Sequence, residues 1–354
     1  MNITVSKLRL FALVTILLVP AIVLAQDPRA SLASLPDADV LIYISPQKLL
    51  NDAAPRLVPA TELTKMRASF GDMKKAVGVD PSSVDYLVIA MRFHKPAGDL
   101  SFIAPDVMLV AGGDFSSDSL VSLAELALQD KVRMEKHGSK TIALMKIDEF
   151  AGAAVKTPML RSFAEIGAVA LSPNSIAIGN LPYLKSAIDA AEGTGRINAA
   201  TLESLMRDPN ALMAASGTPL ASFAKAFGLF GTETTPRDSR CDTPFGNFYA
   251  AITMSGTNFN IRGAMNADNP DTAKIISGLL AGLMQQGISA VPDKEAQTIL
   301  QSIKMTPREN EIIWEAYIPE QALANFFKST VGKQDQKQTS PKPAVRRKRS
   351  PARR

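Results

Sequence analysis

Apolar and polar residues along this chain follow two periods, and the periods take turns. From Phe248 every second residue is apolar, through Ala250, Ile252 and Met254. After Gly256-Thr257 the pattern resumes with Phe259, Ile261 and Met265 on one face and Asn258, Asn260 and Arg262 on the other. Period-two alternation of this kind predicts a β-hairpin with one wet face. From Pro270 the spacing lengthens to a helical one, with Ile275, Ile276, Leu279, Leu280, Leu283 and Met284 on a broad stripe. Gly278 and Gly282, four apart, predict close approach of another element to that helix.

The same order of two strands and a helix recurs elsewhere. Residues Gly167 to Gly193 hold two apolar runs around Pro173-Asn174, then a helix from about Pro182 with Leu184, Ile188 and Ala191 on one face. Ile303 to Lys328 repeats it, with Arg308-Glu309-Asn310 as the turn, Ile312, Trp314, Ala316 and Ile318 on one strand face, and Pro319 opening a helix. A looser copy runs from Val84 to Leu128. The expected fold class is therefore α+β: a mainly antiparallel sheet built from repeated strand–strand–helix units, with helices packed on it. Two runs, DVLIYI (39–44) and DVMLVA (106–111), lack alternation and predict strands buried on both faces. Thr61 to Val77 predicts a helix through Leu63, Met66, Phe70, Met73 and Val77, stopped by Gly78. Gly193-Thr194-Gly195 suggests a boundary between two related halves, residues 26–193 and 194–332; tandem repeats sharing one sheet are the alternative.

Both ends of the chain depart from this pattern. Residues 1–25 read as an export signal: basic Lys7 and Arg9, an apolar run from Leu10 to Leu24, and Val23-Leu24-Ala25 before a cut at Gln26. An uncleaved anchor is the other reading. At the far end, residues 333–354 hold nine Lys/Arg and one acid, Asp335. Of the formal charge of +5, this tail carries +8 and Lys7 with Arg9 another +2, which leaves the body from 26 to 332 at −5. The proline-punctuated cluster Arg346, Arg347, Lys348, Arg349, Arg353 and Arg354 cannot build a core and attracts polyanions by screened electrostatics. For an exported chain the expected partner, if the tail binds one, is an anionic envelope polymer or lipid surface, with a protein partner also open and sequence-specific nucleic acid not expected; a solubilising tail without a specific partner is the other reading.

The body offers little recognisable chemistry, and no catalytic, cofactor or metal residue is expected. One cysteine, Cys241, excludes a disulfide framework and multi-Cys metal sites; the chain is expected to be monomeric on non-reducing gels unless Cys241 pairs between molecules. His94 and His137 read as loop residues, too few for a His-rich metal site. Gly113-Asp114-Phe115-Ser116-Ser117-Asp118-Ser119 partly resembles the metal motif of von Willebrand A-type domains, but Asp118 stands where a serine belongs. A helix cap from Ser116 or Ser117 is the stronger reading. Ser222 and Lys225 fit the Ser-x-x-Lys of penicillin-recognising hydrolases, yet Ser-Asp-Asn and Lys-Thr-Gly are missing and Phe223 and Phe227 have core spacing. Paired carboxylates or this Ser/Lys pair would support an envelope hydrolase as the alternative function.

The opening Leu35-Pro36-Asp37-Ala38-Asp39-Val40-Leu41-Ile42-Tyr43-Ile44, and the phrase Gly179-Asn180-Leu181-Pro182-Tyr183-Leu184-Lys185-Ser186-Ala187-Ile188-Asp189, carry a resemblance. They resemble uncharacterised exported bacterial proteins that begin with LP-x-x-A-D before a hydrophobic strand and repeat an α+β unit. The resemblance implies an envelope location and no activity. The expectation is thus an exported, non-enzymatic binding or structural protein of the cell envelope.

Overall fold

The structure, a computed structural model, describes residues 28–77, 80–93, 105–128, 131–146, 165–218, 245–291 and 294–325. Its centre is a 12-stranded antiparallel sheet in the order β11-β12-β10-β9-β8-β1-β2-β3-β7-β6-β5-β4. In chain order the strands are β1 Val40–Ile44, β2 Val84–Arg92, β3 Asp106–Gly113, β4 Val132–His137, β5 Lys140–Lys146 and β6 Glu165–Ser172. They continue with β7 Ser175–Gly179, β8 Met213–Gly217, β9 Phe245–Ser255, β10 Asn258–Ala267, β11 Lys304–Arg308 and β12 Glu311–Pro319. The chain is α+β, and the strand–strand–helix order appears where the two periods alternate in the sequence.

Seven helices are labelled here: α1 Pro28–Leu32, α2 Ala60–Val77, α3 Ser117–Leu128, α4 Leu181–Ala191, α5 Ala199–Leu205, α6 Pro270–Ala290 and α7 Lys294–Gln301. A proline-broken helical segment spans residues 46–57, and a further helix covers 320–325.

Register shows how the sheet divides its two faces, because directly opposed residues share a face. One rung runs Val169, Ala177, Val110, Val88, Tyr43, Ala214, Ala251. These seven residues, all buried, form the floor of the main core. Helix α4 supplies the roof with Tyr183, Leu184, Ala187 and Ile188, joined by Leu205 of α5 and Leu32 of α1. Helix α4 starts with Pro182 in its first turn and ends before Gly193 at φ 110°, where Thr194 N donates to Asp189 O at 2.8 Å. Truncating a residue so enclosed, such as Ile188→Ala, removes about 2–5 kcal/mol.

The opposite face is covered at its C-terminal end. Ile276 and Ala273 of α6 pack with Ile312 and Ala267, while Ala53, Leu49 and Leu57 of the 46–57 segment pack with Phe259, Ala316 and Ile318. The sequence boundary at 193/194 falls between α4 and α5, and strands from both sides of it meet in this one sheet where β1 pairs with β8.

Two local expectations change. Strands β1 and β3 are not buried on both faces: Leu41 and Tyr43, and Met108 and Val110, are buried, while Ile42 and Leu109 between them are only half-buried. Their apolar residues lie on both faces, but only one face is sealed by helices. Among the described residues nothing lies within 4 Å of the Cβ that Gly278 and Gly282 lack, so no described element approaches α6 there. Close approach occurs instead at Gly263, where an added Cβ would lie 2.1 Å from the Trp314 indole.

Candidate functional site

The segment between β1 and α2 is built to be irregular. Pro46 opens a short helical turn after extended Ser45, and Leu49–Ala53 relaxes into a π-turn just before Pro55, which has no N–H to donate. Extended Val58 then breaks the segment, and α2 begins at Ala60. Helix α2 lies against the 81–83 turn and the 54–57 turn rather than on the sheet. Its stripe residues Leu63, Met66 and Phe70 consequently remain only half-buried.

These residues line a cleft of about 360 Å³ between α2, the 46–57 segment and the 80–82 turn. Leu50 adds to the apolar wall. The polar wall consists of Gln47, Asn51, Asp80 and Ser82, and Arg67 stands at the α2 side. The polar wall is internally bonded. Gln47 Nε2 donates to Ser82 O, and Asn51 Nδ2 donates to Gln47 Oε1 at 3.2 Å. Asp80 accepts from Ser82 N at 2.9 Å and from Lys74 Nζ at 3.2 Å, and the Ser82 hydrogen bonds hold its carboxyl below the usual carboxylate range. Arg67 is exposed and has no hydrogen-bond or ion-pair partner among the described residues. An apolar wall with one uncommitted cation suits a small ligand with an apolar body and an anionic group.

The residues singled out in the sequence lie partly outside the described residues. Arg346, Arg347, Lys348, Arg349, Arg353 and Arg354 lie outside the described residues, as do Ser222, Lys225, Cys241 and His94. His137 is the last residue of β4 rather than a free loop residue, and its Nε2 is 2.8 Å from Asp189 Oδ1 on α4. Ser116 caps α3: its Oγ accepts from Ser119 N at 3.3 Å, and Ser117 Oγ donates to Ser172 O. Asp85 is pushed up by partial burial and by the charge of Asp114, but neither acid lines the cleft. Among the described residues no group of three or more His, Cys, Asp or Glu could hold a metal ion, and no helix is long and apolar enough to cross a membrane.

The apolar half of the cleft was legible as the α2 stripe. Gln47, Asn51, Arg67, Asp80 and Ser82 were not, because they come from three segments with no shared spacing.

No protein-family profile matches the chain, and no curated protein matches it. Among solved structures it is similar to crystal form III of TP0453, with 11% identity and a TM-score of 0.45 over 84% of this chain and 97% of that one. Crystal form I of TP0453 gives 12% identity and a TM-score of 0.43 over 84% and 96%. A likeness this distant does not extend to function.

Proposed function

We propose that this chain is an exported, non-enzymatic binding protein of the bacterial cell envelope, and that the cleft beside α2 is its ligand site. The observation carrying this reading is Arg67, an unpaired cation on the rim of an apolar wall made by Leu50, Leu63, Met66 and Phe70. The export signal read in residues 1–25 supports the location. The cluster Arg346, Arg347, Lys348, Arg349, Arg353 and Arg354 then serves as a tether to an anionic envelope polymer or lipid surface.

Calorimetric titration of the full chain with decanoate tests the site. Decanoate binds, Phe70→Ala and Arg67→Glu each weaken it at least about tenfold, and decanol binds less tightly than decanoate. Absence of decanoate binding, or binding indifferent to both substitutions, overturns the assignment. The tether is tested separately by sedimentation with anionic vesicles at low salt. A truncation ending at Gly332 that sediments as fully as the intact chain removes the tail from the reading.

A further inference from the structure

The sheet is open, and its two end strands, β11 and β4, are finished differently. Strand β11 is five residues long and, among the described residues, pairs only with β12. The two-residue turn Glu309-Asn310 makes Arg308 and Glu311 the closing hydrogen-bonded pair, so the backbone groups of Met305 and Pro307 point outward. Pro307 has no N–H to offer there, and a proline so placed blunts an edge against further pairing.

Strand β4 has no such proline. Gly138, at φ 54°, opens a two-residue turn that sets His137 against Lys140. Counting back from this closing pair, Arg133, Glu135 and His137 direct their N–H and C=O groups to β5, while Val132, Met134 and Lys136 direct theirs outward. No other strand among the described residues pairs with β4. Side chains follow the same alternation. Glu135 lies on the α4 face, 2.6 Å from Lys185 Nζ of that helix, and Arg133 shares the face. The Arg133 side chain stays 53% exposed although it reaches Glu135 at 2.6 Å and Glu165 at 2.9 Å. Met134 stands on the other face as an exposed large apolar side chain.

We propose that β4 pairs antiparallel with β4 of a second copy of this chain, joining the two sheets across a twofold axis at Met134. Hydrogen bonding requires outward-directed residues to meet outward-directed residues, so the axis falls on a residue and never between two. An axis at Arg133 sets two arginines against each other, and one at Glu135 sets two glutamates; like charges directly opposed disfavour pairing. The axis at Met134 places each copy's Arg133 opposite the other's Glu135, twice over. These are non-hydrogen-bonded positions, where side chains come closest. Met134 then meets Met134 and Val132 meets Lys136, so every outward N–H and C=O of the strand finds its mate. The charge pattern is its own complement, which is why the fitting partner is a second copy rather than an unrelated strand. This edge is separate from the α2 cleft and does not depend on it.

The test is sedimentation equilibrium of the full chain under reducing conditions, which remove any disulfide through Cys241. The contact is narrow, so the dimer forms with a Kd of about 10–100 μM. Arg133→Glu and Glu135→Arg each weaken self-association at least about tenfold, and mixing the two variants restores a heterodimer because each copy then supplies the charge the other needs. Met134→Pro deletes an outward N–H but no bond to β5, so it abolishes dimerisation with little change in melting temperature. Hydrogen exchange slows with rising concentration at the amides of Val132, Met134 and Lys136 and is unchanged at Arg133 and Glu135. The proposal is overturned if the chain stays monomeric at submillimolar concentration, if the mixed variants fail to associate, or if Met134→Pro dimerises like the parent.

Discussion

The guanidinium carbon of Arg92 sits 4.7 Å from the ring centroid of Tyr183, and the same guanidinium donates to Asp106 Oδ2 at 2.8 Å. One side chain on β2 thus fastens β3 and α4 at once. Asn180 closes the knot, since its Oδ1 accepts from Val107 N at 3.1 Å and its Nδ2 donates to Asp106. Tyr183 Oη donates to Asp37 O at 3.1 Å, which ties in the chain before β1. Arg92→Ala removes the guanidinium from the 8%-exposed Asp106 carboxylate and lowers stability by about 2–4 kcal/mol in urea unfolding. Tyr183→Phe keeps the ring and costs about 1 kcal/mol.

Burial pushes the Tyr183 hydroxyl far above the ordinary phenol range, and it raises Tyr86, Tyr43 and Tyr249 as well. A group raised on folding stabilises fully below its unfolded pKa and loses that contribution above it. Melting temperature should therefore hold up to about pH 10 and then fall, as unfolded tyrosines ionise and folded ones resist. Tyr183→Phe shallows the alkaline decline; an unchanged slope would contradict the assignment.

Acid acts through other residues. Glu135 is held below the usual carboxylate range by Lys185, with Arg133 second, and Glu192 by the backbone N–H of Ser139. Their contribution is present above about pH 4.3 and is lost as pH falls through the lowered folded values. Glu135→Gln should flatten the acid limb of a stability–pH curve without moving the neutral plateau much.

Two kinds of glycine separate cleanly. Gly263→Ala drives a methyl into the Trp314 indole and costs about 1–3 kcal/mol. Trp314 is the chain's one tryptophan, so its emission spectrum reports the displacement directly. Gly278→Ala, in open space within α6, stabilises by about 0.5–1 kcal/mol in thermal unfolding.

The hairpins that could be read from the sequence are those whose apolar alternation has a turn signal between the arms, as at Pro173-Asn174 and Gly256-Thr257. The β4–β5 hairpin is not legible in the sequence, because Arg133, Glu135 and Lys136 on an edge strand give little apolar rhythm. Which faces would be sealed was not legible in β1 or β3: Ile42 is as apolar as Leu41, and only the placement of α4 distinguishes them. The wet face of Asn258, Asn260 and Arg262 was plain from alternation. The burial of Asn260 within it was not, because that depends on cross-strand neighbours Thr253 and Tyr317. Spacing within one segment encodes local structure; the cleft is made between segments.

Strand β1 stands sixth in the order of twelve, between β2 and β8. A ribosome delivers Val40–Ile44 early and Met213–Gly217 far later, with β2 to β7 made in between. Throughout that interval β1 presents an open row of N–H and C=O groups on the side β8 will occupy, the kind of edge that recruits stray strands. Joining the two strands also closes a long loop late, which slows folding. The aggregation-sensitive species is therefore the growing chain rather than the finished protein, and synthesis between β1 and β8 is when a chaperone has most to do.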